Sequence, residues 1–270
     1  MKYAAAITLY NPTKDQIEHC QLYKKSFDIV YILDNSEFFS EEIKKAFIEE
    51  KFVYIKMNGN EGLPKAFNTV LNRKELLVYD FLCTLDQDSI FANAEIKKLQ
   101  LFISDVYNGK IKGLLYDEVA IIAPVIDYGQ GIKQSEMYTK RSKVITSGSF
   151  LNIKLIENNN LRYDEKYFID RFEIDLCRQI TLNNKDIVVY HGAILIQHLG
   201  NAENSKHSSH NPLRHYYLFR NRFYFNNKFY RWPKRYILNI LQTLRHCYFI
   251  IFYESNKIKK LKKLPIAISD

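Results

Sequence analysis

The stretch Phe81-Leu82-Cys83-Thr84-Leu85-Asp86-Gln87-Asp88 decides how this chain is read. Its first five residues form a run apolar enough for a central strand, and the run stops at two carboxylates one residue apart. Acids at that spacing can reach a single divalent cation, and hard oxygen ligands suit Mg²⁺ or Mn²⁺ carrying a diphosphate. A solvated turn or a helix cap would use the same residues; their place at the end of a buried strand is what favours ligation. Working outward, apolar runs recur at Tyr3 to Leu9, Ile29 to Leu33 and Phe52 to Lys56. Helical patterns over Lys14 to Ser26, Glu41 to Glu50 and Ala66 to Leu71 separate these strands. Asp34-Asn35-Ser36 reads as a turn that caps the helix from Glu41, and Pro64 suits a first helical turn. Such alternation predicts an α/β chain with a mostly parallel central sheet flanked by helices.

Further along the pattern is mixed. A helix is expected near Ala94 to Tyr107, a strand over Val119 to Pro124, and a strand or turn around Val144 to Asn152. Then come a helix over Asp170 to Thr181, a strand over Ile187 to Gln197, a polar loop over Asn201 to Asn211, and helices over Arg214 to Phe225 and Lys234 to Tyr253.

Open parallel sheets bind ligands at the carboxyl ends of their strands. This chain places Asn11, Asp34, Asn60, Asp86 and Asp88 there, a set that suits a metal and a nucleotide. No G-x-G-x-x-G follows the first strand and no Walker lysine motif occurs, which sets aside a dinucleotide cofactor and a P-loop ATPase. A second acidic segment, Phe168-Ile169-Asp170-Arg171-Phe172-Glu173-Ile174-Asp175, embeds three carboxylates among large apolar residues. Such packing can raise a carboxylate pKa towards that of a general base, although acids also decorate helix N-termini. His198 ends an apolar strand, and it is a structural histidine unless it faces Asp88, where a neutral imidazole would complete a metal site.

The chain has 270 residues, 47% of them apolar and 26% charged, which fits an ordinary globular protein and disfavours disorder or a multi-span membrane protein. Its net charge of +9 lies in one place, since residues 228 to 263 hold seven Lys and three Arg against the single acid Glu254. The remainder is neutral, so a uniformly basic nucleic-acid surface is disfavoured. Cys20, Cys83, Cys177 and Cys247 are widely spaced and read as free thiols. The apolar N-terminus ends at Asn11-Pro12, too soon for a secretory signal. In the basic tail, Gln242, Arg245 and His246 interrupt the apolar run, which favours an amphipathic helix lying in a membrane interface, or packed on the domain, over a spanning one.

Eight segments, taken in order, resemble the inverting glycosyltransferases of family 2. They are Thr8-Leu9-Tyr10-Asn11-Pro12, Leu33-Asp34-Asn35-Ser36, Asn60 to Asn68, Leu85 to Ser89, Thr146-Ser147-Gly148-Ser149, Phe168-Ile169-Asp170, Gln197-His198-Leu199-Gly200 and Arg214 to Asn221. The closest likeness is to the rhamnosyltransferase-like branch that builds bacterial surface polysaccharides such as capsule and O-antigen.

The resemblance implies a GT-A catalytic domain over residues 1–221 and a helical, basic extension over 222–270. It implies a nucleotide-sugar site at Thr8, Tyr10, Asn11, Pro12, Asp34, Asn35, Asn60, Gly62, Lys65, Asn68, Asp86, Gln87 and Asp88, with Asp34 receiving a hydrogen bond from the pyrimidine. Asp86, Asp88 and His198 would hold Mn²⁺ or Mg²⁺. Glu173 aligns best with the catalytic base and Asp170 competes with it; Ser147, Gly148 and Asp175 would lie near the sugar and acceptor. The donor implied is a dTDP- or UDP-linked sugar, first dTDP-rhamnose and next a UDP-hexose or UDP-galactofuranose. The implied acceptor is a polyprenyl-diphosphate-linked glycan, met by a cytoplasmic enzyme peripheral at the inner membrane surface. A nucleotidyltransferase and a non-enzymatic basic module binding nucleic acid or membrane are the competing readings.

Overall fold

The computed structural model describes residues 1–128, 136–197 and 210–270. The chain begins β1 (Tyr3–Leu9), α1 (Lys14–Gln21), β2 (Ile29–Asp34), α2 (Glu41–Ala46), β3 (Phe52–Lys56), α3 (Leu63–Leu71) and β4 (Phe81–Asp86). It continues β5 (Ser89–Ile90), α4 (Asn93–Tyr107), β6 (Val119–Asp127), β7 (Tyr138–Lys140), β8 (Ser149–Asn152), α5 (Ile153–Asn158), α6 (Phe172–Leu182) and β9 (Asp186–Gln197). Four helices close it: α7 (Pro212–Phe229), α8 (Lys234–Tyr253), α9 (Lys257–Leu261) and α10 (Lys263–Ser269).

Among the described residues the strands form one sheet in the order β3-β2-β1-β4-β8-β6-β9-β5, with β7 also on β9. The first half is parallel, as the alternation of runs predicts: β1 lies between β2 and β4, and β2 pairs with β3. All seven residues of β1 are buried, as parallel strands covered on both faces require. The second half is mixed, because β8 runs antiparallel to both β4 and β6 while β6 and β9 are parallel.

Local chemistry sets the helix starts. Thr13 and Gln16 form a reciprocal capping box on α1. Ser40, not the Asp34-Asn35-Ser36 turn, caps α2, because those three residues are buried at the end of β2. Gly62 opens α3 with φ +84°, a left-handed conformation that glycine adopts without steric cost, and Pro64 occupies the first turn as expected. The four cysteines are free thiols.

The chain divides into two compact units. One extends to Glu165 and resumes at Glu173; the other takes Lys166–Phe172 and the helices from α7 onward. The first holds the sheet and an extensive apolar core that includes Ile7, Ile32, Phe81, Leu85 and Phe150. In the second, Phe219, Ile250 and Ala267 form a small core. Beside it runs a buried polar chain. Burial lowers the pKa of His246 to about 3 and, against the opposing pull of Glu254, holds His215 below its ordinary value. His215 Nδ1 is hydrogen-bonded to His246 Nε2 at 2.9 Å, and His215 Nε2 to Glu254 at 2.8 Å. The buried Lys260 donates to the same Glu254 oxygen at 2.6 Å. No helix among the described residues is long and apolar enough to cross a membrane.

Candidate active site

The carboxyl ends of β1, β2 and β4 are in register, with Thr8 opposite Asp86 and Leu9 opposite Asp34. Asp34 and Asp86 therefore flank β1, roughly 10 Å apart at two strand spacings. The loops beyond these strands are joined into one rim. The Gln87 side chain accepts the Tyr10 N–H at 2.7 Å and donates to the Tyr10 carbonyl at 3.2 Å. Asn11, at φ +45°, donates its N–H to Ser36 Oγ at 2.8 Å. The Asn35 amide donates to Asn60 Oδ1 at 3.2 Å and accepts the Glu61 N–H at 3.0 Å. Asn60 Oδ1 also accepts the Gly62 N–H, and Lys65 pairs with Glu61.

Asp34 is wholly buried. One of its oxygens accepts from Tyr54 OH at 2.5 Å and the other from the Ser36 N–H at 3.0 Å. Each oxygen keeps a second lone pair. Lys56 Nζ secures the same turn by donating to the Ser36 carbonyl at 2.5 Å. Sequence reasoning passed over Tyr54 and Lys56; their signal was a phenol and an amine at the polar end of an otherwise apolar strand.

At the end of β4, Asp86 is half-buried and Asp88 exposed. The Asp86 N–H donates to Ser147 Oγ at 3.2 Å, and Ser147 Oγ donates to Ser89 Oγ at 2.6 Å. Desolvation, then the charges of Asp88 and Glu173, raise the Asp86 carboxyl to about 7. The structure thus groups Asp86, Asp88 and Glu173 into one acidic cluster supported by Ser147. Gly148 turns the chain beneath it at φ +79°, and a Cβ there would come within 2.6 Å of Leu195 Cδ1. Its N–H donates to the Thr84 carbonyl at 2.8 Å.

Other expected site residues take different positions. Asn68 is buried with its amide committed: it donates to the Tyr163 carbonyl at 2.8 Å and to Glu165 at 2.9 Å, and accepts the Tyr163 N–H at 3.1 Å. It braces α3 against the 163–165 segment. Asp175 is wholly buried and accepts from Gln179 at 2.6 Å, one helical turn along α6. Asp170 belongs to the second unit, at φ +58° between Phe168 and Arg171, which are also left-handed. The Arg214 guanidinium grips its carboxylate at 3.0 and 3.3 Å. The buried Asn221 amide donates to the carbonyls of Tyr167, Ile169 and Asp170, holding this strained loop. His198 lies outside the described residues.

Asp86 and Asp88 offer what a hard divalent cation takes: oxygen donors one residue apart, one already disfavoured as an anion by desolvation and then by its acidic neighbours. Among the described residues, no three His, Cys, Asp or Glu side chains converge as a metal site.

No protein-family model matches the chain. Among curated proteins it is 28% identical over 281 aligned positions to the dTDP-rhamnosyl transferase RfbF of Shigella flexneri, covering 98% of this chain and 94% of that protein. Among solved structures it resembles residues 1–349 of S. aureus TarS in complex with UDP-GlcNAc, at TM-score 0.60 and 15% identity, covering 100% of this chain and 81% of that one. Against a longer TarS chain the match spans 38% of that chain's length, at TM-score 0.55. It also resembles GalNAc-T7 with UDP, GalNAc and Mn²⁺, at TM-score 0.56 and 12% identity, covering 73% of this chain and 43% of that one. The fold is that of the GT-A glycosyltransferases, as the sequence motifs led us to expect.

Proposed function

We propose that this GT-A glycosyltransferase moves a sugar, with inversion, from a nucleoside diphosphate to a hydroxyl of a lipid-linked glycan in bacterial surface-polysaccharide synthesis. The observation that carries the reading is the cluster of Asp86, Asp88 and Glu173 at the carboxyl end of β4, with the Asp86 carboxyl raised to about 7. The desolvation and the neighbouring charges that raise it are both offset by a cation bound between carboxylates or by a proton held on one of them. The near-full-length likeness to a protein named dTDP-rhamnosyl transferase makes dTDP-rhamnose the first donor, ahead of UDP-hexoses and UDP-galactofuranose.

In this reading the nucleotide lies along the rim formed by Tyr10, Asn11, Asp34 and Asn60, where the paired loops hold the backbone in place before the donor arrives. Asp86 and Asp88 would hold Mn²⁺ or Mg²⁺, which would offset the charge that develops on the departing diphosphate. Glu173 takes the proton from the acceptor hydroxyl as that oxygen attacks the anomeric carbon on the face opposite the diphosphate. The new C–O bond forms as the old one breaks, the bonding pair leaves with the diphosphate, and the configuration inverts. Glu173 is favoured over Asp170 because both oxygens of the Asp170 carboxylate are already engaged by the Arg214 guanidinium, whereas the Glu173 charge acts on Asp86.

The test is a thermal-shift series with UDP, dTDP, GDP and CDP and their sugar conjugates, in Mn²⁺, Mg²⁺ or EDTA, since a ligand of the folded state raises Tm by mass action. A cation-dependent rise confined to dTDP or UDP species is expected. No rise with any nucleotide, in a sample shown to be folded, would overturn the donor-site assignment.

A further inference from the structure

We infer that α8 is a membrane-docking helix that lays its outward face on an anionic phospholipid surface. Its polarity is inverted relative to a helix on a water-soluble core, which normally buries its apolar stripe. The face of α8 turned to α7 is polar: Asn226 donates to Asn239 and Gln242 at 2.7 and 3.2 Å, Arg222 donates to the Gln242 carbonyl at 2.8 Å, and His246 is joined to His215. Ile250 is the one fully buried residue of the helix.

The opposite face carries Ile237, Leu241, Leu244, Tyr248 and Phe252, three or four residues apart along one stripe, with Ile240 beside them, each between 50% and 63% exposed. The stripe continues into a groove of about 560 Å³ that is also lined by Phe223, Tyr236 and Ile268. Trp232, 74% exposed, stands just before the helix. An apolar stripe of this length facing water is unfavourable, and such faces mark surfaces that another body covers.

Charge identifies that body. Arg231, Lys234, Arg245, Lys257, Lys259 and Lys262 are exposed on and around α8 and α9. The single acid of the region, Glu254, is spent internally on His215 and Lys260. A second copy of this chain would bring two strongly cationic faces together, whereas anionic headgroups neutralise the cations while the aliphatic and aromatic side chains enter the interface. Each basic residue near such a surface adds to the attraction. The inference stands apart from the donor chemistry, because none of these residues belongs to the acidic cluster.

The experiment is flotation of the full chain with vesicles of phosphatidylcholine alone or with about one-third phosphatidylglycerol. Binding at least tenfold tighter to the anionic vesicles, weakened by 0.5 M salt on the order expected from screening, supports the inference. The triple variant Leu241→Ser/Leu244→Ser/Phe252→Ser should lose at least tenfold in binding while keeping the Tm of the parent chain, since these side chains face outward. The variant Lys257→Glu/Lys259→Glu/Lys262→Glu should lose the preference for anionic lipid. Absence of vesicle binding, or binding unchanged in the triple variant, would overturn the inference. So would a dimer in sedimentation velocity that the triple variant converts to monomer, because the face would then serve self-association.

Discussion

Replacing Asp86 with asparagine should stabilise the fold. In the folded chain the Asp86 carboxyl rises from the ordinary 3.8 to about 7, chiefly by desolvation and then by Asp88 and Glu173. Between those two pH values the folded chain holds a proton that the unfolded chain has released. Stability therefore falls as pH rises through this window, and the full cost is present above pH 7. The rise from 3.8 to about 7, at about 1.4 kcal/mol per pH unit, sets a ceiling of about 4 kcal/mol. Asp86 is only half-buried, so water and relaxation reduce the expected cost to about 1–2 kcal/mol. Asparagine carries no charge at any pH. In EDTA at pH 8 the Asp86→Asn variant should melt about 2–8 °C above the parent, at about 2–4 °C per kcal/mol for a chain of this size. The advantage should shrink as pH falls from 7 towards 4, and it should also shrink when Mn²⁺ is added, because the cation relieves the same repulsion in the parent only. Differential scanning fluorimetry across pH provides the assay. A variant less stable than the parent at pH 8, or a gain equal at pH 8 and pH 4.5, would refute the reasoning.

Three further outcomes follow from particular contacts. Glu173→Gln should lower kcat about 100- to 10,000-fold while leaving the donor-induced Tm shift intact, measured by release of nucleoside diphosphate; full activity would move the base to Asp170. Gly148→Ala combines φ +79° with a Cβ 2.6 Å from Leu195 Cδ1 and 3.0 Å from Pro124 Cγ. It should cost about 1–3 kcal/mol in urea unfolding, and a change below a few tenths would show that the turn relaxes freely. Lys260→Met leaves the half-buried Glu254 with His215 as its remaining partner in this network. A loss of about 3 kcal/mol is expected from chemical denaturation, and a neutral result would mean that His215 takes up a proton to replace the lost charge.

Much of the first unit was legible before any coordinates. Its inner parallel strands β1, β2 and β4 are buried on both faces and appear as apolar runs, the edge strand β3 is half-buried and ends in Lys56, and the acids Asp86 and Asp88 mark where β4 reaches the rim. Helix α3 announced itself through Gly62 and Pro64, whose backbone constraints are local. The second half of the sheet was harder to read, because β8 reverses direction between two strands far from it in the chain.

The sequence by itself determined the strand-end acids, the helix and strand alternation, and the concentration of positive charge near the C-terminus, since each depends on residue type and short spacing. The tertiary structure alone decided the partners. Asn68 finds Tyr163 and Glu165 95 and 97 residues away, Asp170 finds Arg214, and Ser147 finds Ser89, none of which periodicity can reveal. Asp34 and Asp175, alike as acids in the sequence, part company in burial from Asp88, because the neighbours that enclose a carboxylate arrive from distant segments. The same holds for α8: spacing shows that it has an apolar stripe, but only packing against the polar side chains of α7 determines that the stripe faces outward.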